Sequence, residues 1–302
     1  MIELALAVAC SVAIGMIFKH TGPRNIDRTV MLTVNYAAAV GVAVLLIGLG
    51  GRDVNAGLEL SGDLLLLGGG VGALLIAGFY LLSYATDVAG MSLAVGVTRV
   101  SVVVPFLASW GVWNEVPSVA QGGGMVLAAV SFFLIAQKHR PPDSESGGLV
   151  VGADGRSGID WYAFGVLALT FCSGGAVDLS MKTFEEVYGA EHSRVLFLLL
   201  AFGGAFLVGV VVIAVRGLRG HRWGSGRAVG WGLLLGIVNY GSLEFILRAI
   251  AELPGPFVFP ANNIAIMVAS ALIGVYVWSE RLSWINRVGM ALAVAALVLL
   301  RL

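Results

Sequence analysis

The chain alternates between long apolar runs and short polar punctuation. Ten runs are each long enough to span a bilayer, which takes roughly 17–25 residues in a helix. They cover 2–18, 29–49, 63–86, 91–113, 118–137, 160–181, 194–215, 227–249, 256–278 and 284–301. With no water at the membrane centre, the backbone of such a run must be satisfied within the segment, so each predicts an α-helix. The first run ends at Lys19-His20, with Gly22-Pro23 as a stop. Met1-Ile2-Glu3 puts no basic residue ahead of it, which argues against a cleaved signal peptide. After the fifth run the pattern breaks. Residues 138–158, including Pro141-Pro142-Asp143-Ser144-Glu145-Ser146-Gly147-Gly148, read as a flexible linker.

The runs repeat. Trp113-Asn114-Glu115-Val116-Pro117-Ser118 followed by Gly124-Met125-Val126-Leu127-Ala128 returns 165 positions later. There it reads Trp278-Ser279-Glu280-Arg281-Leu282-Ser283, then Gly289-Met290-Ala291-Leu292-Ala293. Upstream the same offset matches Tyr80-Leu81-Leu82 with Phe245-Ile246-Leu247, Asp87 with Glu252 and Gly90 with Gly255; near the start it slips by two, so that Phe18-Lys19 meets Met181-Lys182. A repeat of this length decides the architecture. The expected organisation is a first five-helix repeat over 1–137, the linker 138–158, and a second over 159–302. An odd number of spans per copy sends the second copy into the membrane in the opposite sense, the inverted-topology layout of many secondary transporters. The fold class expected is an all-α integral membrane protein of ten transmembrane helices in two inverted five-helix repeats.

Composition agrees. Hydrophobic residues make up 58% of the 302 and charged residues 12%, where a soluble domain carries about a quarter. Mean hydropathy is +0.93. The 42 glycines suit close helix approach in lipid. Net charge is zero, with no basic excess to suggest nucleic acid. Cys10 and Cys172 both lie in apolar runs and read as small packing residues. No His/Cys/Asp cluster has metal-ligand spacing, and no nucleophile motif, P-loop or cofactor motif occurs.

Lys and Arg set an orientation. Loops 1–2, 3–4, 5–6, 7–8 and 9–10 share one side, which carries Lys19, Arg24, Arg28, Lys138, Arg140, Arg156, Arg216, Arg219, Arg222, Arg227, Arg281 and Arg287. The other side has Arg52, Lys182, Arg194 and Arg301. The bias puts the first side in the cytoplasm and both termini outside.

At Trp113-x-Glu115-x-x-Ser118 and Trp278-x-Glu280-x-x-Ser283, each followed by a Gly-rich span, the chain resembles the drug/metabolite transporter superfamily. More narrowly it is similar to its ten-helix EamA-type members, as are the Lys closing spans one and six and Asn35-Tyr36 in span two. The resemblance covers nearly the whole chain. It implies a transporter working by alternating access through a central cavity between the halves, export ahead of uptake, and both termini in the cytoplasm, against the charge bias. Substrates in that family range over amino acids, sugars, nucleotide sugars and drugs.

Several residues could carry function, each with a structural reading beside it. Ser118 and Ser283 suit helix N-caps, with Glu115 and Glu280 favouring helix N-termini. Gly124-xxx-Ala128 and Gly289-xxx-Ala293 suit helix packing. Thr98, Val102, Pro105 and Ser109 of span four correspond to Asn263, Met267, Ser270 and Gly274 of span nine, one small or polar face in both copies. Pro105 and Pro260 free carbonyls near Ser101 and Pro256. Asn262 and Asn263 add donors and acceptors there, for cavity lining or interhelical bonding. Arg99, well inside span four, keeps its proton and needs a partner or a wet cavity. Its counterpart is Ile264, so the fold does not require the charge; the structural alternative is an ion pair with an acid on a neighbouring helix. Span eight carries Gly232, Gly236, Tyr240, Glu244 and Arg248 at i+4 spacing. Glu244 either pairs with Arg248 within the helix or serves as proton carrier or ligand for a substrate amine, with Asn239 and Tyr240 lining the site. Tyr80 and Tyr84 suit cavity aromatics or an interface belt. Asn35 and Asp178 are weaker candidates, Asp178 being placed near water. Lys19 and Lys182 are expected to snorkel to the interface.

Together these predict a multi-pass carrier in a bacterial or archaeal cell (inner) membrane, moving a small polar metabolite, an amino-acid-like zwitterion favoured by Arg99 opposite Glu244. The partners expected are that substrate, a coupling proton and membrane lipid. Lipophilic-cation efflux and sugar uptake are alternatives on the same fold. A membrane enzyme would need a polar constellation near one interface, which the 138–158 loop lacks, and a scaffold would not need an unmatched central Arg. In a chain with Cys10 and Cys172 replaced by alanine, a single cysteine placed in 138–158 should resist an impermeant thiol reagent in intact cells. Rapid labelling there would reverse the orientation.

Overall fold

The computed structural model describes residues 1–24, 26–50, 57–89, 91–136, 161–220, 226–279 and 283–302. The 138–158 linker, Gly90 and Glu280-Arg281-Leu282 lie outside the described residues. Helices α1 (Ile2–Thr21), α2 (Arg28–Leu49), α3 (Gly62–Ala89), α4 (Met91–Val100), α5 (Val103–Gly111) and α6 (Val119–Ala136) precede the linker. After it come α7 (Trp161–Thr183), α8 (Arg194–Leu218), α9 (Gly226–Glu252), α10 (Gly255–Trp278) and α11 (Trp284–Arg301). Each expected span falls on a helix, with ends agreeing to about three residues. Among the described residues no strand occurs, and nine helices are long and apolar enough to cross a membrane, α4 and α5 counting together over Ala94–Gly111. The protein is a multi-pass, all-α integral membrane protein.

Span four is the broken one. Pro105 has no N–H to offer the Ser101 carbonyl, which instead accepts from Val104 N–H at 2.9 Å, and the helix restarts at Val103. Pro260 lies one and a half turns into α10, which runs on unbroken. The other irregular turn, Phe184–Tyr188, continues α7 as a π-helix.

The helices form two compact units. The first takes residues 1–76 and 180–253, the second 77–179 and 254–302. In the first unit, close approach at glycine sets the packing. A Cβ on Gly236 would lie 2.3 Å from the Asn35 carbonyl oxygen, and one on Gly232 would lie 2.7 Å from that of Met31, so α9 lies directly on the α2 backbone. Gly72 of α3 meets α8 in the same way, its Cβ position 2.4 Å from the Ala201 carbonyl oxygen. Buried rings fill the interior, with Phe184 stacked on Phe197 at 4.2 Å between centroids and Phe202 between Tyr36 and Tyr240.

In the second unit, α6 and α11 lie against each other and exchange equivalent contacts. Gly124 sits against Ala296, Leu299 and Leu300, and Gly289 against Leu134 and Ile135. Gln121 Nε2 donates to the Leu300 carbonyl, and Asn286 Nδ2 to those of Leu134 and Ile135. Positions 124, 134 and 135 correspond to 289, 299 and 300 at the repeat offset, so each helix treats its partner as it is treated.

The described parts of the duplicated block match at the turn that opens it and at the cap that follows. Asn114 and Ser279 hold φ values of 55° and 54° after the ends of α5 and α10. Ser118 Oγ then accepts from Gln121 N–H at 3.1 Å while Gln121 Oε1 accepts from Ser118 N–H at 3.0 Å. Ser283 and Asn286 form the same reciprocal box. The expected caps are therefore present at both serines. Glu115 also favours a helix N-terminus, but that of α10, where Oε2 accepts from Gly255 N–H at 2.9 Å. Ser118→Ala and Ser283→Ala should each lower unfolding stability in detergent by about 0.5–2 kcal/mol, measured as a shift in the denaturation midpoint, with ligand affinity of the folded fraction unchanged.

Candidate functional site

Arg99 belongs to the last turn of α4, just before the break. The end of a helix carries unsatisfied carbonyls and a partial negative charge, so a span that stops inside the membrane gives a cation a favourable place. The half-buried guanidinium donates from Nη1 to Asn263 Oδ1 at 3.1 Å. Asn263 is held in turn by donating from Nδ2 to the Phe259 carbonyl. The acid whose field reaches Arg99 is Asp178 of α7. Among the described residues the two form no direct ion pair.

The small residues around the break make this possible. A Cβ on Gly174 would lie 2.8 Å from Ser101 Oγ, and one on Gly175 would lie 2.6 Å from Val104 Cγ2. Thr98 and Ser101 turn their hydroxyls onto their own helix, to the carbonyls of Ala94 and Thr98. Asn262, beside Asn263, leaves Oδ1 buried without a hydrogen-bond partner. The second unit thus holds a fixed positive charge, an acid within its field and amide groups at an interrupted span.

Span eight carries the other charged group, in the first unit. Glu244 is buried, 7% exposed, and its Oε1 accepts from Arg248 Nε at 2.8 Å. The intrahelical pair is therefore present. It engages one carboxylate oxygen, and Oε2 is buried without a partner. One turn earlier the Tyr240 hydroxyl is also buried and unpartnered. Asn239 donates from Nδ2 to Asn35 Oδ1 at 3.2 Å, joining α9 to α2. Glu244 and Arg248 line a cavity of about 330 Å³ with the loop from Gly189 to Ser193, the first residues of α8 and Gly57.

Arg99, Thr98, Asn262 and Asn263 are thus together in the second unit, and Asn239, Tyr240 and Glu244 in the first. Arg99 and Glu244 have separate charged neighbours, Asp178 and Arg248. Tyr80 and Tyr84 are exposed on α3, with the Tyr84 hydroxyl bonded to that of Tyr162. One expectation is corrected. Lys182 does not snorkel: it is 0% exposed and its ammonium pairs with Glu186 at 2.6 Å. The π-turn carries Glu186 back over the end of α7 and brings the counter-charge to the lysine.

Sequence reasoning undervalued Asp178. Its signal is Gly174 one turn earlier, since a glycine that admits the broken span puts the residue at i+4 on the same face. It made no reading of Glu191-His192-Ser193, which line the cavity. Three polar residues in so short a connection, directly before Arg194 opens α8, were the available sign.

No family model matches the chain. A Haemophilus influenzae protein, described as uncharacterized, is 27% identical over 302 residues, covering 98% of this chain and 96% of its own length. A solved protein crystal structure shares the fold with a TM-score of 0.72 at 12% identity, over 99% of this chain and 94% of that one.

Removing either charge at the break leaves the other uncompensated in an apolar setting. Arg99→Gln and Asp178→Asn should each lower the melting temperature in detergent, and the double variant should recover part of the loss. The coupling expected is about 0.5–3 kcal/mol; strictly additive single effects would show that the two charges act independently.

Proposed function

We propose that the protein is a secondary transporter that carries a small polar metabolite across a bacterial or archaeal cell (inner) membrane by alternating access, with an amino-acid-like zwitterion as the favoured cargo. The observation that carries this reading is Arg99. A guanidinium is placed at an interruption of a membrane span and oriented by a side-chain amide, and the repeat has isoleucine at the corresponding place. The repeated fold does not require a charge at this place, whereas recognition of an anionic group does. Among the described residues one of its five donors bonds a protein oxygen, which leaves others for a carboxylate.

The inverted repeat is part of this proposal. It draws support from the reciprocal contacts of α6 and α11, from the matching turns and caps of the two copies, and from the resemblance to EamA-type carriers. In that arrangement irregular backbone is tolerated where it lines a water-accessible path, and the break beside Pro105 is such a segment.

Reconstitution into proteoliposomes tests the reading. A panel of amino acids, sugars and quaternary amines should reveal saturable uptake for zwitterions, lost in Arg99→Gln protein that is still folded. A charge-assisted contact of about 1.5–3 kcal/mol corresponds to roughly ten- to a hundredfold in apparent affinity. Uptake confined to quaternary amines would favour cation efflux. No flux of any panel member, with correctly oriented and folded protein, would favour a scaffold.

A further inference from the structure

The first unit contains a built pocket with an unmet demand for a hydrogen-bond donor. From its geometry we infer that the cavity bounded by Glu244, Arg248 and the Gly189–Ser193 loop binds a small molecule through its ammonium group, with Glu244 as the counter-charge. The inference does not depend on transport.

Volume is the first observation. At about 330 Å³ the cavity sits at the small end of ligand pockets, which run from about 300 to 1,000 Å³. It suits a molecule of amino-acid size.

Charge is the second. Arg194 is already committed, since Nε and Nη2 donate to Glu185 Oε2 and Oε1 at 2.9 and 2.5 Å. The lining that remains holds two carboxylates, Glu191 and Glu244, against one guanidinium, Arg248. The balance favours a cationic group.

The third observation concerns hydrogen bonds. Glu244 is more than nine-tenths buried and lines the cavity, with Oε1 taken by Arg248 and Oε2 buried and unpartnered. His192 lines the same cavity, and its Nδ1 is likewise buried without a partner. A carboxylate only accepts, so the missing group at Oε2 is a donor; the unprotonated nitrogen of a neutral imidazole likewise accepts a hydrogen bond. An ammonium supplies three. Arg248 offers outer nitrogens beyond its contact with Glu244, suited to a carboxylate on the ligand. The same ammonium chemistry therefore covers a simple amine and a zwitterion, and Arg248 is the residue that separates them.

The wall is fixed by Gly57. Its φ of 73° is a conformation that glycine adopts without strain, and its carbonyl accepts from Ser193 N–H at 2.9 Å. A Cβ there would fall 2.5 Å from the Glu191 carbonyl oxygen. Gly57→Ala should displace the loop and weaken binding with every charge retained.

Isothermal titration of the purified full chain in detergent tests the proposal with three probes that share an isobutyl group: L-leucine, 3-methylbutylamine and 4-methylpentanoate. At least one ammonium-bearing probe should bind, and the acid should not. Glu244→Gln should weaken ammonium binding at least tenfold. Arg248→Gln decides between the two ligand types. If the loss is confined to leucine, the site reads a zwitterion; if neither probe is weakened, it reads the ammonium alone. Equal weakening of both would overturn the proposal, because removing a neighbouring positive charge cannot by itself disfavour a cation. Preferential binding of the acid, or no binding of either ammonium probe, would also overturn it. This comparison needs only the wild type and holds even if Glu244→Gln fails to fold. Loss of transport activity with amine binding intact would count against the carrier reading alone.

Discussion

Helices in a bilayer gain nothing by hiding apolar side chains from one another, because the lipid is equally apolar. They are held together by contact distance and by hydrogen bonds. Glycine is where this protein meets that constraint. Gly232 and Gly236 lay α9 on the backbone of α2, Gly72 does the same for α3 and α8, and Gly124 and Gly289 do so reciprocally for α6 and α11. The polar contacts depend on that closeness. Asn239 reaches Asn35 because the two backbones meet at Gly236, and Asn286 reaches two carbonyls of α6 because Gly289 admits that helix.

The same closeness governs the charges. Arg99, Lys182 and Glu244 are each met by groups that the packing brings to them: an amide and a more distant acid, a glutamate on a π-turn, and an arginine one turn along the helix. The matches differ in completeness. Lys182 is fully buried and its ammonium is held by Glu186, which reaches the surface, so its charge is met within the fold. Arg99 and Glu244 keep hydrogen-bonding capacity that their protein partners do not use. That inequality, and not the presence of charge as such, distinguishes the candidate sites from the scaffold.

Much of this was legible in the chain. Length of apolar run located every helix, since a bilayer allows little else to span it. The duplicated Trp-x-Glu-x-x-Ser block announced the caps, and Pro105 announced the break at Ser101. What escaped was whatever depends on a neighbouring element. The direction in which Glu115 turns, toward α10 and not toward its own following helix, is set by tertiary contact. So are the enclosure of Lys182, where a π-turn overrides the expected reach to the interface, and the meeting of Asp178 with Arg99. Local spacing can flag a polar connection but cannot reveal that it folds over a cavity, which is why His192 and its neighbours were not singled out.

The interruption at Ser101 and Val102 has a mechanical consequence. An unbroken helix transmits a tilt from one end to the other, because each turn is locked to the next by its hydrogen bonds. Here α4 and α5 are separate rods joined by two residues, and Pro105 removes the bond that would have fused them. Either rod can change its angle without breaking the ladder of the other. The joint rests against Gly174 and Gly175, whose lack of side chains lets α7 approach it closely, and Arg99 sits on the rod's end. A small rotation of α4 about this joint would swing the guanidinium through an arc while leaving the rest of the span in place.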